Sequence, residues 1–174
     1  MGHYPSRHSM KKRASSLLFL TCIGAALSTA ATVEVGRPMP KLSNLVPGAK
    51  VPNTSGKIIL VDFWASWCSP CRKSFPILNE LHRKYGPKGL VIIGISVDEK
   101  EADYRKFASK MKAAFPLVHD SAHKAAAAFN PSAMPMSYIV DSKGIVRHIH
   151  KGFSGAKTRA KYIAEIEALL AKER

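Results

Sequence analysis

The chain has 174 residues, 46% of them hydrophobic, and a formal charge of +15 from 27 basic and 12 acidic residues. That is enough apolar material for one packed domain with a short appendage, and it excludes a disordered, collagen-like or disulfide-dense chain. Beyond residues 11–13 the Lys and Arg are scattered singly and in pairs, with no interleaved aromatic pattern. This speaks against nucleic-acid binding and for a solvated basic surface.

Arg7, Lys11, Lys12 and Arg13 precede an uncharged stretch over residues 14–33, most apolar from Leu17 to Leu27 and followed by the small residues Ser28, Ala30 and Ala31. A basic segment, a short apolar segment and a small-x-small site make the layout of a secretory signal, here residues 1–30 with cleavage after Ala30. An uncleaved N-terminal membrane anchor is the alternative, since about 20 residues cross a bilayer. Six Ser or Thr in the stretch weaken a span and favour cleavage. Either way the positive-inside rule puts residues 31–174 on the far side of the membrane, in a periplasmic or other extracytoplasmic space. Those residues carry 23 basic and 12 acidic groups, a net +11. Cys22 falls in the removed segment, which leaves Cys68 and Cys71 alone in the domain.

Residues 36–56, rich in Pro and Gly, read as an irregular lead-in with at most one short strand. Residues 57–64 (KIILVDFW) form a continuous apolar run of strand length, as expected of a strand buried on both faces. Residues 70–85 predict a helix, with Phe75, Leu78 and Leu81 at helical spacing. Residues 90–97 (LVIIGISV) predict a second buried strand. Asp98, with Glu101 three residues on, forms a capping box for a helix to about Met111. Residues 115–118 are a short extension, and Asp120 or Ser121 caps an Ala-rich helix to about Phe129. Residues 136–140 and 145–149 flank Asp141-Ser-Lys-Gly144 and predict a β-hairpin. Residues 157–172 are a closing amphipathic helix. The order implies an α/β fold: one mixed sheet, parallel early and antiparallel late, with helices on both faces.

Cys68-Ser-Pro-Cys71 lies where a buried strand gives way to a helix. Residues three apart on a helix share a face, so the two sulfurs can reach disulfide distance. Cys68 sits at the helix N-terminus, where free N–H groups and the macrodipole favour a thiolate. Cys68 is therefore the attacking sulfur and Cys71 the resolving one. A zinc site needs about four ligands, and the chain has no second cysteine pair; a structural bridge over so short a loop stabilises little. The histidines His119, His123, His148 and His150 have no acids paired with them in sequence and read as surface residues.

Phe63-Trp64-Ala65-x-Trp67-Cys68-x-Pro70-Cys71, the later Met134-Pro135 and Ile139-Val140-Asp141-x-x-Gly144, with Gly36-x-Pro38-x-Pro40 and Ser55-Gly56-Lys57 before them, resemble the thioredoxin superfamily, and within it the exported TlpA/ResA/CcmG-like thiol–disulfide oxidoreductases. The resemblance spans residues 36–170. It implies a thioredoxin fold, a redox-active Cys68–Cys71 disulfide, a cis Pro135 beside the sulfurs, Met134 offering its backbone to the substrate chain, and Trp67 lining the docking surface. It further implies a monomer that needs no cofactor, acts on protein thiols and disulfides, and is recharged by a membrane electron carrier of the DsbD/CcdA type. Ser69-Pro70 resembles the Gly-Pro of reducing thioredoxins, so a reductant is expected, with cytochrome c maturation or metalloprotein assembly as its setting.

Two other functions compete. A thiol peroxidase of the peroxiredoxin type has Thr three residues before its reactive Cys and Pro four before that, where this chain has Ala65 and Val61. A copper-binding thiol module suits soft thiolates, but the copper chaperones of this fold space their cysteines by three residues. One departure from the family pattern stands out. The Glu commonly found three residues after the second Cys is Ser74 here, whereas an acid, Asp62, lies in the buried strand. An unpaired buried carboxylate is costly, so Asp62 either finds a hydrogen-bonding partner or has a raised pKa and takes the Cys71 proton as a catalytic group.

Overall fold

A computed structural model describes Met1 and residues 33–173 of the chain. The expected signal or anchor over residues 1–30 and Cys22 lie outside the described residues. Among those described, no helix is long and apolar enough to cross a membrane.

In chain order the elements are α1 (Leu42–Leu45), β1 (Ile58–Trp64), α2 (Ser69–Tyr85), β2 (Leu90–Ser96), α3 (Glu101–Met111), β3 (Leu117–His119), α4 (Lys124–Phe129), β4 (Met136–Val140), β5 (Val146–Lys151) and α5 (Ala156–Lys172). The strands form one sheet in the order β3-β2-β1-β4-β5. β1 runs parallel to β2 and antiparallel to β4, β2 is parallel to β3, and β4 pairs antiparallel with β5. This is the mixed sheet expected, with β1 in its centre.

Every residue of β1 is buried, because both faces of the sheet are covered. Ile58, Leu60 and Trp64 point into one core with Cys68, Cys71, Phe75, Leu78, Leu81, Tyr162 and Ile166. Ile59, Val61 and Phe63 point into the other with Ile93, Ile95, Phe129, Tyr138 and Val140. By this alternation Asp62 belongs to the first face, the one α2 and α5 cover.

α2 begins one residue before the expected Pro70, with Pro70 in its first turn, where the missing N–H costs nothing. Pro76 lies inside the helix and leaves the Arg72 carbonyl without its usual partner. The lead-in is not fully irregular: it holds the one-turn α1 and a bridge from Pro38 to Ile145 at the hairpin. Gly144, at φ +79°, supplies the left-handed residue of that hairpin turn.

The capping box is not formed. α3 starts at Glu101 with Lys100 as N-cap and no side-chain cap, and Asp98 reaches elsewhere. Asp120 does cap α4, its carboxylate accepting the Ala125 and Ala126 N–H groups at 3.2 and 2.7 Å.

Gly94 of β2 faces Asp62 across the parallel ladder. A Cβ there would lie 2.6 Å from Leu117 Cδ2, 3.1 Å from Trp64 Nε1 and 3.2 Å from a Phe115 ring carbon. The Leu117 methyl could move, but the two rings are wedged in the core. Gly94→Ala should therefore cost about 1–3 kcal/mol of stability, read from the urea midpoint at constant m. A loss below about 0.5 kcal/mol would show that this region is loosely packed.

Candidate active site

β1 ends at Trp64, and four residues later the chain enters α2 with Cys68 as its N-cap. The Cys68 sulfur accepts the Cys71 N–H at 3.2 Å, in the place a Ser or Asp oxygen takes at other helix starts. Cys68 and Cys71 are joined in a disulfide with their Cα atoms 5.3 Å apart. Cys71 is wholly buried and Cys68 nearly so, but Trp67, Ser69 and Pro70 around Cys68 are all exposed. Trp67 is 69% exposed, unusual for an indole and in contrast to Trp64, which stacks on Phe107 and Tyr104 in the core. In the reduced protein the amide donor and the helix N-terminus would both stabilise a Cys68 thiolate.

Asp98, read from sequence as a cap, holds the loop before Cys68. Its carboxylate accepts the Ser66 N–H at 3.0 and 3.1 Å and the Ser66 and Ser96 hydroxyls at 2.7 Å each. Three donors on a nearly buried carboxylate pin the turn that aims Cys68. The His119 ring nitrogen lies 2.7 Å from the Asp98 carbonyl, and its ring stacks on Tyr104.

The Met134–Pro135 peptide bond is cis. β4 starts at Met136, opposite Phe63, so Met134 and Pro135 stand at the same end of the sheet as the β1–α2 junction. Met134 is half-buried, packing against both cores, and Pro135 is buried, its carbonyl accepting the Gly152 N–H at 2.8 Å.

Asp62 is fully buried. Oδ1 accepts the Ser137 hydroxyl at 2.6 Å, and Ser137 Oγ lies 2.6 Å from the Tyr162 hydroxyl. Oδ2 has no partner. Burial pushes the Asp62 carboxyl up to about 7, against a smaller downward pull from Ser137. Asp62 thus has both a hydrogen-bonding partner on one oxygen and a raised pKa. Ser74, at the position where the sequence resemblance leads one to expect a Glu, is buried and donates to the Cys71 carbonyl at 2.9 Å.

Sequence reading missed Ser137 and Tyr162, which sit 75 and 100 positions from Asp62 with no local motif; only the strand pattern around Ser137 hinted at its inward face. It also misplaced two histidines. His150 Nε2 lies 2.6 Å from Glu165 Oε2 with little of its side chain exposed, and His148 faces the same carboxylate at 3.5 Å. The acid comes from α5, fifteen residues away, and is invisible to local pairing.

A strand–CxxC–helix junction on this sheet, with a cis proline at the same end, defines a thioredoxin-fold thiol–disulfide oxidoreductase. Residues 39–149 match the AhpC/TSA family, and the chain belongs to it. It is 33% identical over 97 residues to the thiol-disulfide oxidoreductase ResA of Geobacillus kaustophilus, an alignment covering 56% of each chain. It is 32% identical over 126 residues to the thioredoxin-like protein YneN of Bacillus subtilis, covering 69% of this chain and 73% of that one. A Chlorobium tepidum crystal structure assigned as thiol:disulfide interchange protein DsbE superposes with a TM-score of 0.73 at 29% identity, over 80% of this chain and 99% of that one.

The raised pKa of Asp62 ties stability to pH. The fold binds this proton more tightly than the unfolded chain does, so the stabilisation is complete below about pH 4 and is lost as pH rises through about 7. Against Asp62→Asn, which does not titrate, the wild type should lose on the order of 4 kcal/mol across that window. Denaturant unfolding of both proteins between pH 4 and 8 measures the difference, and parallel curves would mean an unperturbed Asp62.

Proposed function

We propose that this protein is an exported reductant of protein disulfides. The observation that carries the reading is the pairing of a helix-capping sulfur, Cys68, with a buried one, Cys71, three residues on. In the forward reaction the Cys68 thiolate attacks one sulfur of a client disulfide, releases the other as a thiolate and forms a mixed disulfide. Cys71 then gives its proton to Asp62 and attacks the Cys68 sulfur. The second client sulfur leaves as a thiolate, two electrons have passed to the client, and Cys68–Cys71 is a disulfide. A membrane dithiol carrier of the DsbD/CcdA type returns the pair to its reduced form. Clients dock against the exposed Trp67 and the Met134–Pro135 segment, and the protein works as a monomer.

Export is supported by the charge and hydropathy pattern of residues 1–30. The pathway served is cytochrome c maturation or metalloprotein assembly, as the resemblance to the TlpA/ResA/CcmG-like proteins implies. The peroxidase alternative is disfavoured by Ala65 and Val61, both fully buried, which offer no hydroxyl beside Cys68.

The roles of the two sulfurs and the direction of electron flow are tested separately. Cys71→Ser should accumulate mixed disulfides with clients through Cys68, and Cys68→Ser should abolish turnover. In the reduced wild type an alkylating agent should label Cys68 first; labelling of Cys71 alone would reverse the roles. The Cys68–Cys71 couple should equilibrate with glutathione closer to thioredoxin, about −270 mV, than to a strong oxidase, about −120 mV. A value above roughly −150 mV would overturn the reductant reading.

A further inference from the structure

One row of residues crosses the sheet on the cysteine face: Gly94 of β2, Asp62 of β1, Ser137 of β4 and His150 of β5, each facing the next in register. α5 lies over this row, with Tyr162 edge-on to the His150 ring at 5.0 Å and Glu165 bonded to His150. Asp62, Ser137 and Tyr162 are all buried, and among the described residues their side-chain hydrogen bonds run to one another through two contacts of 2.6 Å. No Lys, Arg or His pairs with Asp62 among the described residues. Cys71 from α2 shares the core on this face of the sheet with Tyr162 from α5, and the titratable groups at the edge of the row are His150 from β5 and Glu165 from α5; Gly94 contributes no side chain.

We infer that Ser137 and Tyr162 are positioning residues, a two-hydroxyl relay that fixes Asp62 Oδ1 and leaves Oδ2 as the one oxygen free to receive the Cys71 proton. The inference rests on the reading of Asp62 as that proton's acceptor. Each hydroxyl has one hydrogen to donate. With Asp62 ionised, Ser137 spends its hydrogen on Oδ1 and Tyr162 supplies one to the Ser137 oxygen, so both point toward the carboxylate. Hydrogen bonds aligned in one direction polarise and strengthen one another in a low-dielectric interior. The carboxylate is thereby made tolerable without a buried cation, whose charge would drive the pKa far below neutrality. When the proton leaves Cys71 it becomes covalently bound at Oδ2, the thiol becomes a thiolate, and neither hydroxyl has to turn.

A purely structural role for the two hydroxyls predicts lost stability but an unchanged titration. The relay predicts a moved titration. In reduced protein labelled at aspartate, the Asp62 carboxyl carbon followed by NMR should titrate near pH 7 in the wild type. Ser137→Ala removes the donor and should raise the midpoint by about one pH unit, a tenfold change in proton affinity. Tyr162→Phe keeps the ring packing and should move the midpoint the same way by less. Ser137→Thr keeps the hydroxyl and should restore the wild-type midpoint. The pH profile of mixed-disulfide resolution should follow these shifts, and in an Asp62→Asn background Ser137→Ala and Tyr162→Phe should leave the profile where Asp62→Asn puts it.

The outcomes separate the two ideas. If the Ser137→Ala and Tyr162→Phe midpoints coincide with the wild type while Asp62→Asn still slows resolution, the relay is wrong and the acceptor reading stands. If they shift the carboxyl midpoint but Asp62→Asn resolves at the wild-type rate, the acceptor reading fails and the proton route proposed here fails with it. Equal shifts in the rate profile with and without Asp62 would show that the hydroxyls act through the packing, which also overturns the relay.

Discussion

Helix α2 begins on a sulfur. The Cys71 N–H points at Cys68 Sγ because Cys68 occupies the N-cap, where the first-turn amides have no carbonyl to bond. The rest of the site follows from keeping that sulfur there. The chain must leave a fully buried strand and start a helix within four residues. The intervening turn is held from outside by the Asp98 carboxylate, itself carried at the end of the neighbouring parallel strand. The parallel pairing of β1 with β2 is therefore part of the active site, because it brings Asp98 level with Ser66. The antiparallel partner on the other side brings Met134 and Pro135 to the same edge. A reactive sulfur is thus framed by three neighbouring segments, and none of them needs to be long.

The buried row on the cysteine face of the sheet obeys a different constraint. A carboxyl in the centre of a sheet must be neutral or compensated. Compensation by Lys or Arg would lock it ionised, and complete isolation would lock it protonated. One serine and one tyrosine leave it between those limits, and the partner strand across from it carries glycine, so the row is narrow where the Trp64, Phe115 and Leu117 side chains close over it. The tyrosine comes from the last helix, which ties the C-terminal element to the buried carboxyl at the centre of the sheet. The His150–Glu165 pair at the sheet edge is packed against the same tyrosine, and it anchors α5 over the row.

Much of this was legible in the sequence, for a physical reason. Continuous apolar runs bounded by turn residues marked the buried strands, and the 3.6-residue spacing of Phe75, Leu78 and Leu81 marked α2; both signals are local. The CxxC motif was legible because its chemistry depends on a spacing of three within one helix turn. Failures fell where a partner is distant along the chain. Asp98 fits a capping box on local spacing, but Ser66, 32 residues earlier, competes for its oxygens and wins with two donors fixed by the sheet. His150 seemed unpaired because Glu165 meets it only after the hairpin and α5 have packed together. Asp62 stands out as an anomaly in an apolar run, yet its partners Ser137 and Tyr162 are ordinary residues in ordinary elements, and only strand register and the packing of α5 bring them to it.

Membership of the AhpC/TSA family leaves open whether the thiol meets a peroxide or a disulfide, and the surroundings of Cys68 bear on that choice. A small peroxide reacts with a thiolate in a pocket that supplies hydroxyl donors to the breaking bond. Around Cys68 the neighbouring donor is the Cys71 amide, and the side chain three residues back is the methyl of Ala65, buried against the core. The surface beside the sulfur is instead an exposed indole, Trp67, with the exposed Ser69 and Pro70 next to it. A flat aromatic ledge suits a second polypeptide, which gains from burying it. The second sulfur lies one helical turn away rather than on another chain, so an intermediate formed with a large partner can be resolved from within the same helix. Open on the client's side and closed on the resolving side, the site has the asymmetry that exchange between two disulfides demands.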